Sequence, residues 1–280
     1  MTKYIALAIT TDYWKPSENY TDKIINALEN KVENGDFVVV SEKALSTALG
    51  TIVDESSAKP SLSARCIACF WMRLVWGYYL GVLCRFGQKL LKRLRGYPLE
   101  AGGRHKQVAL QYAGIWQALM FGSEGGIDGS NLPYSYVSLP LNNAEELAQK
   151  IRRRIWLRLR KNVCVIIADT DKTYKFRNFF FTPRPNPLKG IHSLGASSTY
   201  IIGRILKLKK RSTPLAATSR NLGASDALII TNIADKARGP GSGATVWDMA
   251  ARFQVEVNEV NWEMLAAIRH KPIVIVRKKR

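Results

Sequence analysis

The chain is short of the residues that most often carry redox, metal or nucleophilic chemistry. It has 3 histidines and 4 cysteines in 280 residues. No histidine stands in a nucleophile-like context, so a Ser-His-Asp triad has no support. Three of the cysteines, Cys66, Cys69 and Cys84, crowd one apolar stretch, and Cys164 stands alone. That is a poor disulfide framework. Cys66 and Cys69 have the two-residue gap of metal and redox motifs, but no second pair accompanies them, and they read as buried thiols in a helix. The start, MTKYIALAIT, lacks a basic segment followed by a long apolar run, so no secretory leader is read there and a reducing cytoplasm is the expected setting. Acidic residues are also scarce: 22 against 42 basic ones, a formal net charge of +20. That excess favours an anionic partner, such as a nucleotide, a nucleic acid or a phospholipid surface. With 46% hydrophobic and 23% charged residues, whole-chain disorder and fibrous architectures are excluded.

What is present alternates between short apolar strands and amphipathic helices. Strands are expected at 4–9, 37–40, 163–167 and 272–276, and a further one at 45–53 with Gly50 allowing a bend. Lys106–Tyr112 and Ile115–Phe121 read as paired strands around Ala113-Gly114. Helices are expected at 21–28, at 245–253 and after Asn143, where Glu145 and Glu146 fill the first turn and Leu147, Ile151 and Ile155 mark the buried stripe. Residues 215–237 look helical with Gly223 as a weak point, and 277–280 look like a frayed tail. Pro183, Pro185 and Pro187 make a stiff connector. The mixed order indicates an α+β fold with mixed or antiparallel sheets and packed helices.

Residues 66–86 are almost wholly apolar, with Arg73 and Arg85 the charged members, and a basic run (Lys89, Lys92, Arg93, Arg95) follows. Segment 61–97 is read as a helical insert, a hairpin or long helix packed on the protein or on a partner chain. Shallow membrane contact and a true span are the alternatives. Arg73 inside the stretch speaks against a span. Residues 150–161 and 204–211 are strongly basic, but no nucleic-acid-binding motif accompanies them, and solvated helix faces are the plain reading.

Two carboxylates stand out. Asp128 lies in the glycine-rich loop Glu124–Asn131, and Asp169 lies just past a buried strand. Brought together they would repel unless a cation lay between them, and Thr170 could add a hydroxyl. Mg²⁺ or Mn²⁺ would suit such oxygen donors. Ordinary loop aspartates are the competing reading. Lys43 could reach a phosphate, with Ser46 and Asn131 as hydrogen-bonding groups near the same edge. The loop 239–243 resembles a phosphate cradle without the ending of a P-loop, and its backbone amides and the following helix N-terminus are the expected agents.

Three motifs in order carry a resemblance. Gly35-Asp36, an apolar run, Lys43 and Ser46 form the first; Gly126-Ile127-Asp128-Gly129-Ser130-Asn131 forms the second; Ala168-Asp169-Thr170 at a strand end forms the third. Together they resemble the coenzyme F-420-0:gamma-glutamyl ligases. The resemblance implies a single ligase-like catalytic unit over 1–280 and an intertwined homodimer. It implies a GTP- and metal-dependent ligase that adds L-glutamate to an anionic carboxylate acceptor, F-420-0 or a related compound, through an acyl phosphate. Asp128 and Asp169 would be catalytic metal ligands with Thr170 beside them. Lys43, Ser46, Ser130 and Asn131 would face nucleotide or substrate. The sequence departs from the family at Ala168, where serine is usual, and at Asp171–Phe176. The alternative is a non-catalytic paralogue that binds nucleotide, nucleic acid or a membrane surface through its basic faces.

Overall fold

A computed structural model describes residues 3–122 and 124–279. Its frame is a seven-stranded mixed sheet in the order β1-β9-β2-β5-β6-β7, with β8 also paired to β5. The strands are β1 (Tyr4–Thr11), β2 (Phe37–Ser41), β5 (Cys164–Phe176), β6 (Phe179–Thr182), β7 (His192–Ser193), β8 (Lys209–Ala217) and β9 (His270–Lys278). A separate pair joins β3 (Ile52–Asp54) to β4 (Tyr136–Ser138). The α+β expectation therefore holds.

The two central strands, β2 and β5, run parallel, with Phe37 opposite Cys164 and Ser41 opposite Ala168. Both faces of this centre are covered, which is why Val38, Val39 and Val40 are all fully buried, a continuous apolar run without alternation. One face packs helices Tyr20–Leu28 and Ala144–Leu159, whose buried stripe is Leu147, Ala148, Ile151 and Ile155. The other face packs helix Ala224–Arg238 through Ile230 and Ala234. A second hydrophobic cluster lies off the sheet, in a helical lobe built from Leu62–Leu83, Gln88–Arg95 and Leu99–Tyr112. Within it Leu62–Leu83 and Gln88–Arg95 lie against each other, burying Met72, Trp76, Leu91 and Leu94. Within Leu62–Leu83, residues Ile67–Leu80 wind as a π-helix. Its buried positions, Ile67 and Ala68, Met72, then Trp76 and Gly77, with Ala64 and Gly81 flanking, recur every four to five residues, nearer the pitch of a π-turn than 3.6.

Several local expectations fail. Residues 45–53 are not one strand: helix Glu42–Ala48 precedes β3, because Ala44, Leu45 and Ala48 pack on the sheet core. Lys106–Tyr112 belongs to helix Leu99–Tyr112, and Ile115–Ala118 is a short helix, not a strand. The glycines of the longer helix are close approaches, not breakers: a Cβ on Gly102 would fall 2.2 Å from the Tyr97 ring. Residues 215–237 split into the end of β8 and helix Ala224–Arg238. The tail is not frayed as far as Lys278, since Arg277 pairs with Glu33 and Asp36; Arg280 lies outside the described residues. Cys66 and Cys69 are exposed, and only Cys84 of that group is a buried thiol.

Candidate functional site

The parallel pairing of β2 with β5 ends at Ser41 and Ala168; there β2 gives way to a helix, while β5 runs on to Phe176 against β8, so Asp169 lies within the longer strand and not past its end as expected. A crevice at the carboxyl ends of parallel strands is the usual seat of a ligand site. Lys43 follows β2 on helix Glu42–Ala48, and Asp169 and Thr170 follow Ala168 where β5 changes register against β8, between Asp169 and Lys172. Such irregularities re-aim side chains next to active sites. A cavity of about 460 Å³ opens there. Lys43, Asp128, Ser130, Asn131, Asp169 and Thr170 all line it, together with the loop 239–244. Ser46 does not: it is fully buried and its hydroxyl donates to the Leu139 carbonyl (3.0 Å), so it ties the helix to the chain after β4.

Asp128 is held on both carboxylate oxygens. Ser130 N–H donates to Oδ1 (2.7 Å) and Ser130 Oγ–H to Oδ2 (3.1 Å). The Lys43 ammonium pairs with Oδ2 and also donates to the carbonyl (2.8 Å) and hydroxyl (2.7 Å) of Ser130. Asn131 sits at φ 59°. Its amide oxygen accepts from Ser242 N–H (2.6 Å) and its amide nitrogen donates to Gly243 (3.2 Å), which fastens the loop 239–243 to the Asp128 loop. Gly241 is required there, since a Cβ would stand 2.5 Å from Asn131 Oδ1. The loop lines the cavity, but the helix after it, Val246–Phe253, spends its N-terminus on Thr245, whose side chain accepts from Asp248 N–H. The loop and not that helix reaches the cavity.

Asp169 receives the Thr170 N–H on Oδ1 (2.6 Å). Its Oδ2 lies 3.1 Å from Arg184 Nε, an ion pair without an aligned hydrogen bond. Arg184 is 1% exposed and also grips Glu42 and the Gly125 carbonyl. Burial pushes the Glu42 carboxyl up to about 7, against the opposing pull of Arg184. A chain of charges, Glu42–Arg184–Asp169, therefore backs the cavity. It needs Gly126, at φ +105°, because a Cβ there would overlap the Arg184 guanidinium.

Helix Ala224–Arg238 delivers two further groups to the lining. Asp235 holds Lys172 (3.0 Å), and Arg238 has Nε and Nη2 shut off from solvent without a hydrogen-bond partner. Burial lowers the Arg238 pKa, and Asp235 and Asp169 partly restore it. Two enclosed guanidinium nitrogens without acceptors are costly, and an anionic ligand would satisfy them. Arg269 and Lys271 add cations, and Trp14, Tyr13 and His270 form an aromatic wall with ring centroids 4.6 Å apart for Tyr13 and His270. Arg184, Glu42, Asp235 and Arg238 were not singled out from sequence.

The donors facing the cavity suit a hard divalent cation in kind: two carboxylates, one with an oxygen lacking an aligned donor, and the Thr170 hydroxyl. No group of three or more His, Cys, Asp and Glu that could hold a metal occurs among the described residues. Mg²⁺ is commonly held by one or two carboxylates, with water and phosphate oxygens completing its shell, so a pair is enough.

The profile of F420-0:gamma-glutamyl ligase matches residues 8–179. The chain belongs to that family. Its members' profile spans the β2–Lys43 segment, the Asp128 loop and the Asp169 turn, and stops short of Arg238 and the loop 239–244. The chain is also 32% identical to an uncharacterized protein of Methanocaldococcus jannaschii over 286 aligned positions, covering 98% of this chain and 96% of that protein. The ligase family thus supports a ligase of that kind and a connection with F-420 biosynthesis.

Proposed function

We propose that the protein is a nucleoside-triphosphate- and divalent-metal-dependent amide ligase that joins L-glutamate to a carboxylate acceptor, F-420-0 or a related compound, with GTP as the phosphoryl donor. The observation that carries the reading is the convergence of Lys43, Asp128 and Asp169, far apart in sequence, on one cavity that Arg238, Arg269, Lys271 and the glycine-rich loop 239–244 also line. Asp128, Asp169 and Thr170 would hold Mg²⁺ or Mn²⁺, which would offset the charge on the phosphoryl group. Arg238 and Lys172 would meet phosphate or carboxylate oxygens. The acceptor carboxylate oxygen bonds to the γ-phosphorus and the nucleoside diphosphate leaves, giving an acyl phosphate. The glutamate amine then bonds to the carbonyl carbon, phosphate departs with the C–O bond, and the amine proton passes to solvent. An amine needs placement more than activation for that step, and the rigid lining supplies it. A homodimer belongs to the same reading, and light scattering tests it.

Calorimetry with GTP and ATP, each with Mg²⁺ or Mn²⁺, followed by mass spectrometry of glutamate-containing products, is the deciding experiment. Metal-dependent binding and product formation are expected, with both lost in Asp128→Ala and Asp169→Ala. Full turnover in both variants, or no triphosphate binding at all, sinks the assignment. One observation favours a second reading, a nucleotide-binding paralogue without turnover: each aspartate already has an internal cation, Lys43 for Asp128 and Arg184 for Asp169. Metal-independent nucleotide binding without product would support it.

A further inference from the structure

We propose that the helical lobe docks on an anionic lipid surface, through the outer face of helix Leu62–Leu83 and the adjoining end of helix Ala196–Ile205. By length and composition alone Leu62–Leu83 could cross a membrane, yet a third of its most apolar window is buried inside the protein. Its inner face is fastened there. The indole N–H groups of Trp71 and Trp76 both donate to the Leu119 carbonyl (2.7 and 2.8 Å), and Arg73 Nε donates to the Tyr97 carbonyl (2.8 Å). A span would tear these bonds out, so the helix lies on a surface instead of passing through it.

The outer face leaves Phe70, Leu74, Tyr78, Tyr79, Val82 and Leu83 exposed, Tyr79 at 72%. The near-π pitch gathers them on one side, opposite Met72 and Trp76. An apolar patch of that kind marks an interaction site. Arg204 extends it: its guanidinium donates to the carbonyls of Cys84 (3.2 Å) and Arg85 (3.4 Å), which brings the exposed Ile205 and Leu206 next to the helix end.

Charge selects the occupant. Residues 56–99 contain no Asp or Glu, while Lys59, Arg65, Arg73, Arg85, Lys89, Lys92, Arg93 and Arg95 are all basic. A second copy meeting this face through a two-fold axis would set one basic patch, free of acidic residues in 56–99, against another. A nucleic acid would find hydrocarbon where it needs hydrogen-bond donors. An anionic bilayer fits both features: the apolar side chains enter the interface, and Arg85, Lys89 and Lys92 meet phosphates.

The test is co-sedimentation of the intact protein with phosphatidylcholine vesicles and with vesicles of phosphatidylcholine and phosphatidylglycerol. Binding to the mixed vesicles is expected, weakened by at least about tenfold in Phe70→Ser/Tyr79→Ser. Lys89→Gln/Lys92→Gln is expected to lose the preference for the anionic lipid while keeping its melting temperature. Absence of binding to mixed vesicles overturns the proposal, as does binding indifferent to both variants. A dimer that Phe70→Ser/Tyr79→Ser dissociates, without vesicle binding, overturns it in favour of self-association. Neither variant touches the cavity, so nucleotide affinity should stay unchanged in both, and the outcome is separate from that of the ligase assignment.

Discussion

Arg184 shows how much a single side chain can hold at once. Flanked by Pro183 and Pro185, it has its backbone stiffened on both sides, and it reaches through the gap over Gly126 to Glu42 and Asp169. Removing it leaves the buried Glu42 and the part-buried Asp169 without their cation, so Arg184→Met should lower unfolding free energy by about 3–5 kcal/mol, read from urea denaturation. Gly126→Ala collides with the same guanidinium from the other side and should cost about 1–3 kcal/mol; a neutral result would show that Arg184 has another resting place. Lys43→Ala frees the Asp128 loop as well as removing a cation, and nucleotide affinity by calorimetry should fall about tenfold or more. At this scale Lys43, Asp128 and Asp169 were legible, because short motifs in loops and beside strands expose them, whereas Asp235 and Lys172, which also line the cavity, were not. Arg184 was hidden inside a proline-rich stretch that reads as a connector. Arg238 was hidden at the end of a helix, where a basic residue has an ordinary explanation in the helix dipole. Ser46 was misleading: its spacing from Lys43 fits a motif, but three positions on along a helix its hydroxyl turns inward to Leu139.

Elements with a continuous apolar run or one clean apolar stripe were readable, and a helix with charged or glycine residues at core positions was not. Helix Ala144–Leu159 was readable because it packs one stripe on the sheet core, and β2 and β9 because burial on both faces leaves an unbroken apolar run. Helix Leu99–Tyr112 breaks the pattern: its fully buried Lys106 donates to the Met120 carbonyl and pairs with Glu124 (2.5 Å), so a charged residue occupies a core position. Leu62–Leu83 escapes a 3.6-residue reading because its buried face repeats at a longer interval. The shared Leu119 acceptor gives a graded test there. Trp71→Phe should cost about 1 kcal/mol for one hydrogen bond, whereas Trp76→Ala, which also empties the space among Phe86, Phe121 and Tyr200, should cost about 3–5 kcal/mol; equal urea midpoints for the two would refute that packing.

Over the whole molecule, pH acts through His105 and His270 in opposite senses. Burial alone would lower His105, but Glu124 and Glu55 on either side carry it from 6.5 to about 10. Its contribution is complete below pH 6.5 and is lost as the pH rises through about 10. Burial lowers His270 from 6.5 to about 4, so its contribution is present above pH 6.5 and is lost as the pH falls through about 4. Between about pH 7.5 and 9.5 the wild-type protein should lose on the order of 2 kcal/mol of stability, and His105→Gln should flatten that limb in urea titrations at the two pH values. An unchanged slope in the variant would assign the loss to other groups. The pairing of the first and last strands has a separate, topological consequence. Tyr4 lies opposite Lys278, and Lys279 N–H donates to the Lys3 carbonyl (2.8 Å), so the start of β1 and the end of β9 lie side by side. A short peptide could join those ends while a new opening is cut at the exposed Arg177–Asn178 tip between β5 and β6, and the rearranged polypeptide should fold to the same sheet without disturbing the cavity.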